Sequence, residues 1–304
     1  MIPRRAFLRY AAIGTIGLLG TSAFSEVFAE ATGDLKPFQG EDVFSRILKK
    51  SLAQKWEQLP IGQCMTHVAM ELEGTPYVGF TLELDKDREI CSVNLKGLDC
   101  VTFFEDTLDF SRMLKKGGRT PEAMLAEVTL TRYRGGKLGD FTTRLHYTTD
   151  WMYDNEKKGV VKVLAPDLPG AAKFTQKVGI MSEKPKNYRQ LVAHPEFIPV
   201  IRKYEDEINA RDTMYVPMDK LAEAQPHLKS GDIVGVATTE SGIDIAHTGL
   251  VIADASGMLH FMDASSSKRN MKVTLEKGPI SKAFNWSNEL TGAVFARPLE
   301  PVAV

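Results

Sequence analysis

The sequence has few of the residues from which metal sites and disulfide frameworks are built. Its 304 residues include three cysteines and six histidines. No His-Glu-x-x-His and no Cys-x-x-Cys pattern occurs, so the spacing typical of a zinc site is missing. The Gly-x-Ser-x-Gly elbow of serine hydrolases is missing too, and the serines at 265–267 are typical of a solvated turn. We therefore expect no metal and no other cofactor.

The sequence also has no surplus of positive charge. It contains 38 lysines and arginines against 39 aspartates and glutamates, a formal net charge of −1. No cluster of basic residues stands out along the chain. Proteins that bind nucleic acid carry a basic patch or stripe that neutralises phosphates. The composition therefore argues against nucleic acid as a partner, and it gives no indication of the oligomeric state.

Long apolar runs are absent after the first thirty residues. Before that point, Arg4 and Arg5 precede an apolar, glycine-rich run over 11–24, and Ala29 closes a plausible cleavage site. The run is shorter than the ~20 residues that span a bilayer. We predict a twin-arginine-type signal peptide at 1–29, a linker at 30–40 and one domain at 41–304. A retained N-terminal anchor is the alternative. Cleavage would give an exported, periplasmic protein without a stable membrane span and with a formal charge of −3.

The order of the predicted elements indicates an α+β fold. Hydrophobic periodicity predicts helices and then strands, with no βαβ alternation, so we expect an antiparallel sheet with additional helices around it. The predicted helices cover 42–56, 61–72, a segment from 100 onward, 121–128, 147–155, 185–193, 196–209 and 217–224. The predicted strands cover 77–82, 89–95, 158–163, 233–237, 246–253 and 258–264. Residues 165–193, rich in Pro, Gly and Lys, are predicted to form a surface insertion.

Cys100 stands where a loop turns into a predicted helix. Asp99 before it is a favourable N-cap, and Leu98 and Phe103 have the spacing of a hydrophobic staple. The positive end of the helix dipole favours a thiolate, which is the nucleophilic form of cysteine. An ordinary buried core cysteine is the alternative interpretation. The helix-start position favours Cys100 as a nucleophile.

A candidate base for Cys100 lies in the second half of the chain. His247 begins a predicted strand, and the turn signal at 254–257 precedes a third strand that ends near Asp263. A hairpin closed at that turn brings Asp263, or an immediate neighbour, opposite His247. Asp263 would then orient His247, and His247 would deprotonate Cys100. Taken singly, His247 could be a structural histidine and Asp263 a strand-end residue.

Several motifs together resemble a known group of enzymes. These are Asp99-Cys100 at a helix start, Ser-Gly-Asp-Ile-Val at 230–234, His-Thr-Gly-Leu-Val-Ile at 247–252 and Met-Asp-Ala at 262–264. In this order they resemble the NlpC-type papain-like cysteine hydrolases of the cell wall. Three further stretches make the resemblance more specific: Gly-Thr-Pro-Tyr-Val at 74–78, Gly-Leu-Asp-Cys-Val-Thr-Phe at 97–103 and Arg-Leu-His-Tyr-Thr-Thr-Asp-Trp at 144–151. They resemble the N-acetylmuramoyl-L-alanine amidase-like branch, formerly a domain-of-unknown-function family, over about 41–299.

The resemblance implies a papain-like core, in which a catalytic cysteine at a helix N-terminus packs on an antiparallel sheet that carries the histidine. It implies Cys100, His247 and Asp263 as catalytic residues, although the third position is often His in this superfamily. It also places a group of polar and aromatic residues beside the substrate: Tyr77, Asp99, Arg144, His146, Tyr147 and Trp151. For Trp151, packing into the core is an equal alternative, and Tyr77 could be an ordinary strand tyrosine.

The function implied is hydrolysis of the amide between N-acetylmuramic acid and L-alanine in peptidoglycan fragments. An endopeptidase that cuts the stem peptide with the same chemistry is one alternative, and a non-catalytic muropeptide-binding protein is another. The two remaining cysteines could form a disulfide, Cys64–Cys91, that spares Cys100. Reduced, buried thiols are equally compatible, because twin-arginine substrates fold before export in a reducing cytoplasm.

Overall fold

The computed structural model describes residues 36–268 and 270–302. The predicted signal peptide at 1–29, and the part of the predicted linker up to residue 35, lie outside the described residues. The α-helices of the described residues are α1 Glu41–Ala53, α2 Ile61–Glu71, α3 Cys100–Lys115, α4 Pro121–Arg132, α5 Thr148–Lys157, α6 Ile180–Glu183, α7 Arg189–Ala193, α8 Phe197–Asn209 and α9 Leu221–Ala224. Its strands are β1 Phe38–Gln39, β2 Val93–Asn94, β3 Val161–Val163, β4 Ala172–Lys173, β5 Met214–Pro217, β6 Ile233–Thr238, β7 Ile245–Ala253, β8 Leu259–Ser265, β9 Lys272–Leu275 and β10 Leu290–Pro298.

An eight-stranded antiparallel sheet forms the centre of the fold. Its strand order is β4-β5-β10-β6-β7-β8-β9, and β3 pairs with the far half of β10. Strands β6, β7, β8 and β9 follow one another as a meander. Strand β10, the last of the described elements, enters between β5 and β6. A separate two-stranded parallel pair joins β1 to β2. The predicted α+β class with an antiparallel sheet is confirmed.

Helix α3 is the most deeply buried of the long helices in the described chain. Fourteen of its 16 residues are buried, including charged ones, which is the pattern of a helix enclosed on all sides. It packs against α2 and α4 and against strands β7 and β8. Leu98 and Phe103 are both fully buried in the same apolar cluster, as a hydrophobic staple requires. The start of α3, and with it Cys100, is therefore held firmly against the sheet.

One predicted strand is absent, another is much shorter than expected, and several observed strands were not predicted. The segment 77–82 is not a strand, since only isolated bridges occur there, such as Tyr77 with Leu98. Of the segment 89–95, only Val93–Asn94 pairs. Strands β5, β9 and the central β10 had no counterpart among the predicted elements. Because β10 is nearly all buried, it lacks the alternation of polar and apolar residues that marks a half-exposed strand.

The segment 165–193, predicted as a surface insertion, also contributes to the packed structure. It supplies β4, which pairs with β5, and helix α6. Val178, Ile180 and Met181 are buried in an apolar cluster with residues of α8. This cluster forms one wall of the cleft described below. Among the helices of the described residues, none combines the length and apolarity needed to cross a membrane.

Candidate functional site

A cleft opens where the N-terminus of α3 meets the beginning of β7. It is lined by most of the predicted catalytic and substrate-binding residues: Tyr77, Asp99, Cys100, Arg144, His146, Tyr147 and His247. Asp263 lies behind His247, and Trp151 lies outside the lining. Residues far apart in the chain, from the 77–101, 141–148, 180–188 and 243–248 segments, thus meet in one cavity.

Asp99 caps the helix that begins at Cys100. Its Oδ1 accepts hydrogen bonds from the backbone N–H of Val101 at 3.0 Å and of Thr102 at 2.8 Å. The Thr102 hydroxyl accepts in return from the Asp99 N–H at 2.9 Å, which completes a capping box. The structure thus uses the Asp99 carboxylate to hold the helix start, at the edge of the cleft.

One first-turn amide of α3 is left without a partner. The N–H groups of Val101 and Thr102 go to the Asp99 carboxylate, and that of Phe103 goes to the Asp99 carbonyl. For the Cys100 N–H, no acceptor is found among the described residues. A free N–H at a helix N-terminus is a ready donor for negative charge. It lies on the residue whose thiol faces the cleft.

His247 is held by Asp263. The distance from His247 Nε2 to Asp263 Oδ2 is 2.6 Å, and both side chains are buried. The other ring nitrogen, Nδ1, is buried without a hydrogen bond of ordinary geometry, so it is the atom left for Cys100. Burial by itself would lower the pKa of His247. The negative charge of a Cys100 thiolate and the hydrogen bond to Asp263 outweigh burial and raise this pKa to about 10.

The register of the hairpin differs from the predicted one by two residues. Leu250 pairs with Met262, and continuing this ladder by one residue brings Asp263 to Gly249. His247 is therefore a diagonal neighbour of Asp263. Because side chains on a strand repeat every two residues, both still lie on one face and the contact is made. Glycine at position 249 lets β7 and β8 approach closely, since a Cβ there would lie 2.4 Å from the carbonyl oxygen of Met262.

Arg144 lies in the cleft wall, yet its charge is already matched by carboxylates. Its Nη2 donates to Glu83 Oε1 at 2.9 Å, and its Nε lies 3.3 Å from Glu89 Oε1. Burial would lower its pKa, but the charges of Glu89 and Glu83 raise it. Tyr133 also donates to Glu89. Arg144 therefore holds the segment around Glu83 in place.

His146 and Tyr147 have well-defined partners. His146 Nε2 lies 2.7 Å from the carbonyl oxygen of Phe141, which can only accept, so Nε2 carries the proton. Burial, helped by the nearby Arg144, holds the pKa of His146 well below its usual range, so the ring is neutral and Nδ1 is an acceptor. The Tyr147 hydroxyl donates to Glu205 Oε1 at 2.6 Å and is buried.

Tyr77 lines the cleft together with Cys100. It is partly buried, and burial together with the charges of Cys100 and Asp99 raises its pKa, so its hydroxyl stays protonated. Its backbone N–H donates to the Met271 carbonyl, while Val78 and Leu98 pair beside it. These bonds fix the Tyr77 ring close to the N-terminus of α3.

Trp151 is a core residue beneath the cleft, which corrects the binding role expected from the resemblance. It is 1% exposed, and its ring packs edge-on against Phe104. Its Nε1 donates to Glu105 Oε1 at 2.8 Å. Glu105 also accepts from Arg132 Nε at 2.8 Å. Trp151 therefore supports the floor of the cleft through Glu105.

The sequence did not predict the charged residues on the inner side of α3 and at the end of α4. Glu105 and Arg132 line the cleft, and Asp106 and Asp109 are buried behind them. A signal was present, because acids interrupt the apolar pattern of a helix that is otherwise rich in Phe and Leu. Thr248 was missed as well. It lies in the motif at 247–252, but residue type alone does not show that its hydroxyl donates to the backbone carbonyl of Cys100.

The other two cysteines are buried, free thiols. Cys64 and Cys91 form no disulfide in the structure, which corresponds to the reduced alternative. Burial raises the pKa of Cys64 to about 11 and also raises that of Cys91. Both are therefore poor nucleophiles at neutral pH. Among the described residues, no group of three or more His, Cys, Asp or Glu side chains is placed to hold a metal ion.

The structure thus brings a cysteine at a helix start and a histidine held by a carboxylate to one cleft of an α+β fold. The chain belongs to the AmiA-like, N-acetylmuramoyl-L-alanine amidase-like family, whose model matches residues 67–277. That range contains Cys100, His247 and Asp263. The comparison with curated proteins finds no match.

Three of the solved structures that are similar to this chain come from bacteria of two genera. An N-acetylmuramoyl-L-alanine amidase from Bacteroides uniformis is 29% identical with a TM-score of 0.71, covering 78% of this chain and 98% of its own. A Bacteroides fragilis protein, provisionally described as a xylanase, is 31% identical with a TM-score of 0.68, covering 75% of this chain and 98% of its own. A Legionella pneumophila protein is 18% identical with a TM-score of 0.65, covering 86% of this chain and 97% of its own; it shares the fold.

Proposed function

We propose that the protein is a cysteine amidase of the NlpC-type, papain-like kind, which hydrolyses the bond between N-acetylmuramic acid and L-alanine in peptidoglycan fragments. The observation that carries the proposal is the arrangement of His247. Asp263 holds its Nε2 at 2.6 Å, and the charge of a Cys100 thiolate raises its pKa to about 10. A thiolate–imidazolium pair is the active form of a cysteine nucleophile. Membership of the amidase-like family supports the peptidoglycan substrate.

In the proposed reaction, the Cys100 thiolate attacks the carbonyl carbon of the lactoyl group on the sugar. The carbonyl oxygen becomes an oxyanion, which the free Cys100 N–H can stabilise at the positive end of α3. His247 then gives its proton to the nitrogen of L-alanine, the C–N bond breaks and the free peptide leaves. His247 then takes a proton from water, which attacks the thioester; the C–S bond breaks, the lactoyl carboxylic acid of the sugar leaves, and the thiolate–imidazolium pair is restored. Asp263 keeps the imidazole oriented throughout.

The charges around the cleft suit a neutral acyl group. The two arginines of its lining, Arg132 and Arg144, are both ion-paired with carboxylates. His146 is neutral and offers Nδ1 as an acceptor for a hydroxyl or an amide N–H. A lactoyl-linked amino sugar carries hydroxyl and acetamido groups and no charge near the scissile bond. Such a ligand needs hydrogen bonds and ring contacts more than a free cation.

We further propose that the protein works outside the cytoplasm after twin-arginine export. The support is Arg4-Arg5 followed by a short apolar run, in residues outside the described part of the chain. Replacing both arginines by lysine should trap the precursor in the cytoplasm. Cell fractionation with an antibody measures this, and normal periplasmic accumulation of the double variant would favour general secretion or a retained anchor.

The proposed reaction is tested by mass spectrometry of defined muropeptides. Wild-type protein should release an intact peptide that begins with L-alanine from a disaccharide-tetrapeptide, whereas Cys100→Ala should release none. Cys91→Ala is the matched control, because it removes another buried thiol and should leave the reaction intact. Cleavage of a free tetrapeptide at an internal bond would replace the amidase with the endopeptidase. Tight muropeptide binding without any product would point to the non-catalytic binding protein.

A further inference from the structure

The polar and aromatic groups expected to hold the sugar are mostly occupied within the protein. Arg144 is ion-paired with Glu83 and Glu89, and Tyr147 donates to Glu205. Trp151 is buried beneath the cleft. A sugar ring that binds next to Cys100 must therefore find its aromatic contact elsewhere in the lining.

Phe80 is the aromatic residue of the lining that is open to solvent. Among the cleft aromatics, Phe141 and Tyr147 are buried, and Tyr77 and Tyr188 are partly buried. Phe80 is 36% exposed. A phenyl ring that is partly open on a cleft wall offers an apolar face to a ligand.

The backbone of Phe80 is strained. Its φ is +65°, in the left-handed region, where a bulky side chain is an outlier. Glycine would adopt this conformation freely, so the phenyl ring is present despite a conformational cost. Strain of this kind clusters at ligand-binding sites, where the surrounding structure enforces it.

The strained conformation is enforced by the turn that contains it. In the rim turn, which we define as residues 80–83, the Glu83 N–H donates to the Phe80 carbonyl at 3.1 Å. The Glu83 carboxylate is then held by Arg144 and by the side-chain amide of Gln190. Arg144 thus acts on the ring position of Phe80 through Glu83.

The rim turn is also close to the nucleophile. Tyr77, three residues before Phe80, lies near enough to Cys100 for the thiolate charge to act on its pKa. Three residues span at most about 10 Å of chain. A group bonded to the carbonyl under attack could therefore reach the Phe80 ring.

We propose that Phe80 is the residue on which the sugar ring of the substrate stacks, and that Arg144 and Glu83 are the positioning residues that present it. This inference rests on the proposed amidase function and adds the contact that distinguishes a muramyl-peptide from a peptide with the same amide bond. The C–H face of a saccharide ring is apolar and matches an exposed phenyl ring, while its hydroxyls remain at the solvent edge.

The test compares two substrates with the same scissile bond: N-acetylmuramoyl-L-alanyl-D-isoglutamine and a D-lactoyl-L-alanyl-D-isoglutamine that lacks the sugar. Phe80→Ala should raise KM for the muramyl substrate about tenfold and leave KM for the lactoyl substrate unchanged. Phe80→Tyr should behave like wild type, because it retains the ring. Phe80→Gly, which suits the positive φ, should repeat the loss with the turn intact. Tyr153→Ala removes an aromatic of equal exposure, 37%, outside the cleft lining, and should change neither substrate.

The outcomes separate this inference from the proposed function. Equal KM values for wild type and Phe80→Ala on the muramyl substrate would overturn the stacking role while leaving the amidase intact. Equal losses on both substrates would also overturn it, in favour of a purely structural role. If wild type cleaves neither substrate, the amidase proposal fails. The stacking role is then tested by calorimetric titration of the muramyl-peptide into the Cys100→Ala variant and into the Cys100→Ala, Phe80→Ala double variant. Weaker binding to the double variant supports stacking. Equal binding to both variants, or no binding to either, refutes it.

Discussion

The side-chain hydroxyl of Thr248 donates a hydrogen bond to the backbone carbonyl oxygen of Cys100, with 2.7 Å between Oγ1 and the carbonyl oxygen. Thr248 directly follows His247 in β7, and both Thr248 and its acceptor are buried. This bond ties the strand that carries the proposed base to the first turn of the helix that carries the proposed nucleophile. The relative position of the two reactive side chains is therefore set by a neighbour that takes no part in the chemistry.

We expect Thr248→Val to reduce kcat about tenfold with little change in KM, because a loosened helix start misaligns thiol and imidazole. Loss of the hydrogen bond should also lower the free energy of unfolding by about 1 kcal/mol. Thr248→Ser keeps the hydroxyl and is the control. Steady-state kinetics and urea unfolding measure the two effects. Identical kinetics in the valine and serine variants would show that this bond does not align the site.

The raised pKa of His247 gives a direct spectroscopic prediction. Its imidazole should remain protonated through neutral pH and lose its proton near pH 10, as followed by NMR of labelled histidine. In Cys100→Ala the pKa should fall, because the thiolate charge is gone and burial then dominates. Asp263→Asn should lower it too, since the carboxylate hydrogen bond is weakened. Cys91→Ala should have no effect. A wild-type His247 that titrates near 6.5 would contradict the thiolate–imidazolium pair.

Asp106 should give the protein a measurable dependence of stability on pH. Both of its carboxylate oxygens are buried without hydrogen bonds, and burial raises its pKa from 3.8 to about 8. Between these values the folded protein keeps a proton that the unfolded chain releases, so this group lowers the free energy of unfolding as pH rises. Above pH 8 its effect levels off.

Asp106→Asn removes this titration and should therefore stabilise the protein, increasingly so from pH 5 to pH 8. A gain of about 1 kcal/mol or more corresponds to roughly 2–4 °C in Tm. Asp42→Asn, at an exposed site, should show no comparable gain. Differential scanning calorimetry across this pH range tests the prediction, and a variant equal to wild type at pH 8 would refute it.

The corrected role of Trp151 can be checked by separating stability from binding. Trp151→Phe keeps a ring against Phe104 but leaves Glu105 Oε1 without its indole donor. We expect the free energy of unfolding to fall by about 1–3 kcal/mol with KM unchanged. Trp56→Phe loses only a neutral bond to Gln54 and should lose less stability. A large rise in KM without loss of stability would restore the substrate-contacting role.

The sequence predicts a helix or strand well where neighbouring residues determine it, and poorly where contacts with distant residues determine it. Helix α3 was predictable at its first residue, because Asp99, Leu98 and Phe103 supply the cap and staple within a few positions. Strand β10 was not, because its pairing with β5 and β6 is purely long-range and its burial removes the alternating pattern. The segment 77–82 has strand-forming residues, but it meets only single bridges at the cleft edge.

The candidate site shows the same division. The motifs nominated Cys100, His247 and Asp263 through residue type and neighbours, and the hairpin register could slip by two residues without separating them. Which polar residues face the cleft and which are paired inside the protein could not be read from type alone. Arg144 and Trp151 look like binding residues by composition, and only their partners Glu83 and Glu105 reveal their supporting roles.

Strand β10 lies outside the range that matches the family model, although the central sheet depends on it. The family match ends at residue 277, whereas β10, at Leu290–Pro298, is the strand that joins β5 and β3 to β6. A fragment limited to the matched range would contain every proposed catalytic residue and yet have its sheet split beside β6. The meander that carries His247 and Asp263 therefore has an unpaired edge along β6 in any fragment that ends before Leu290.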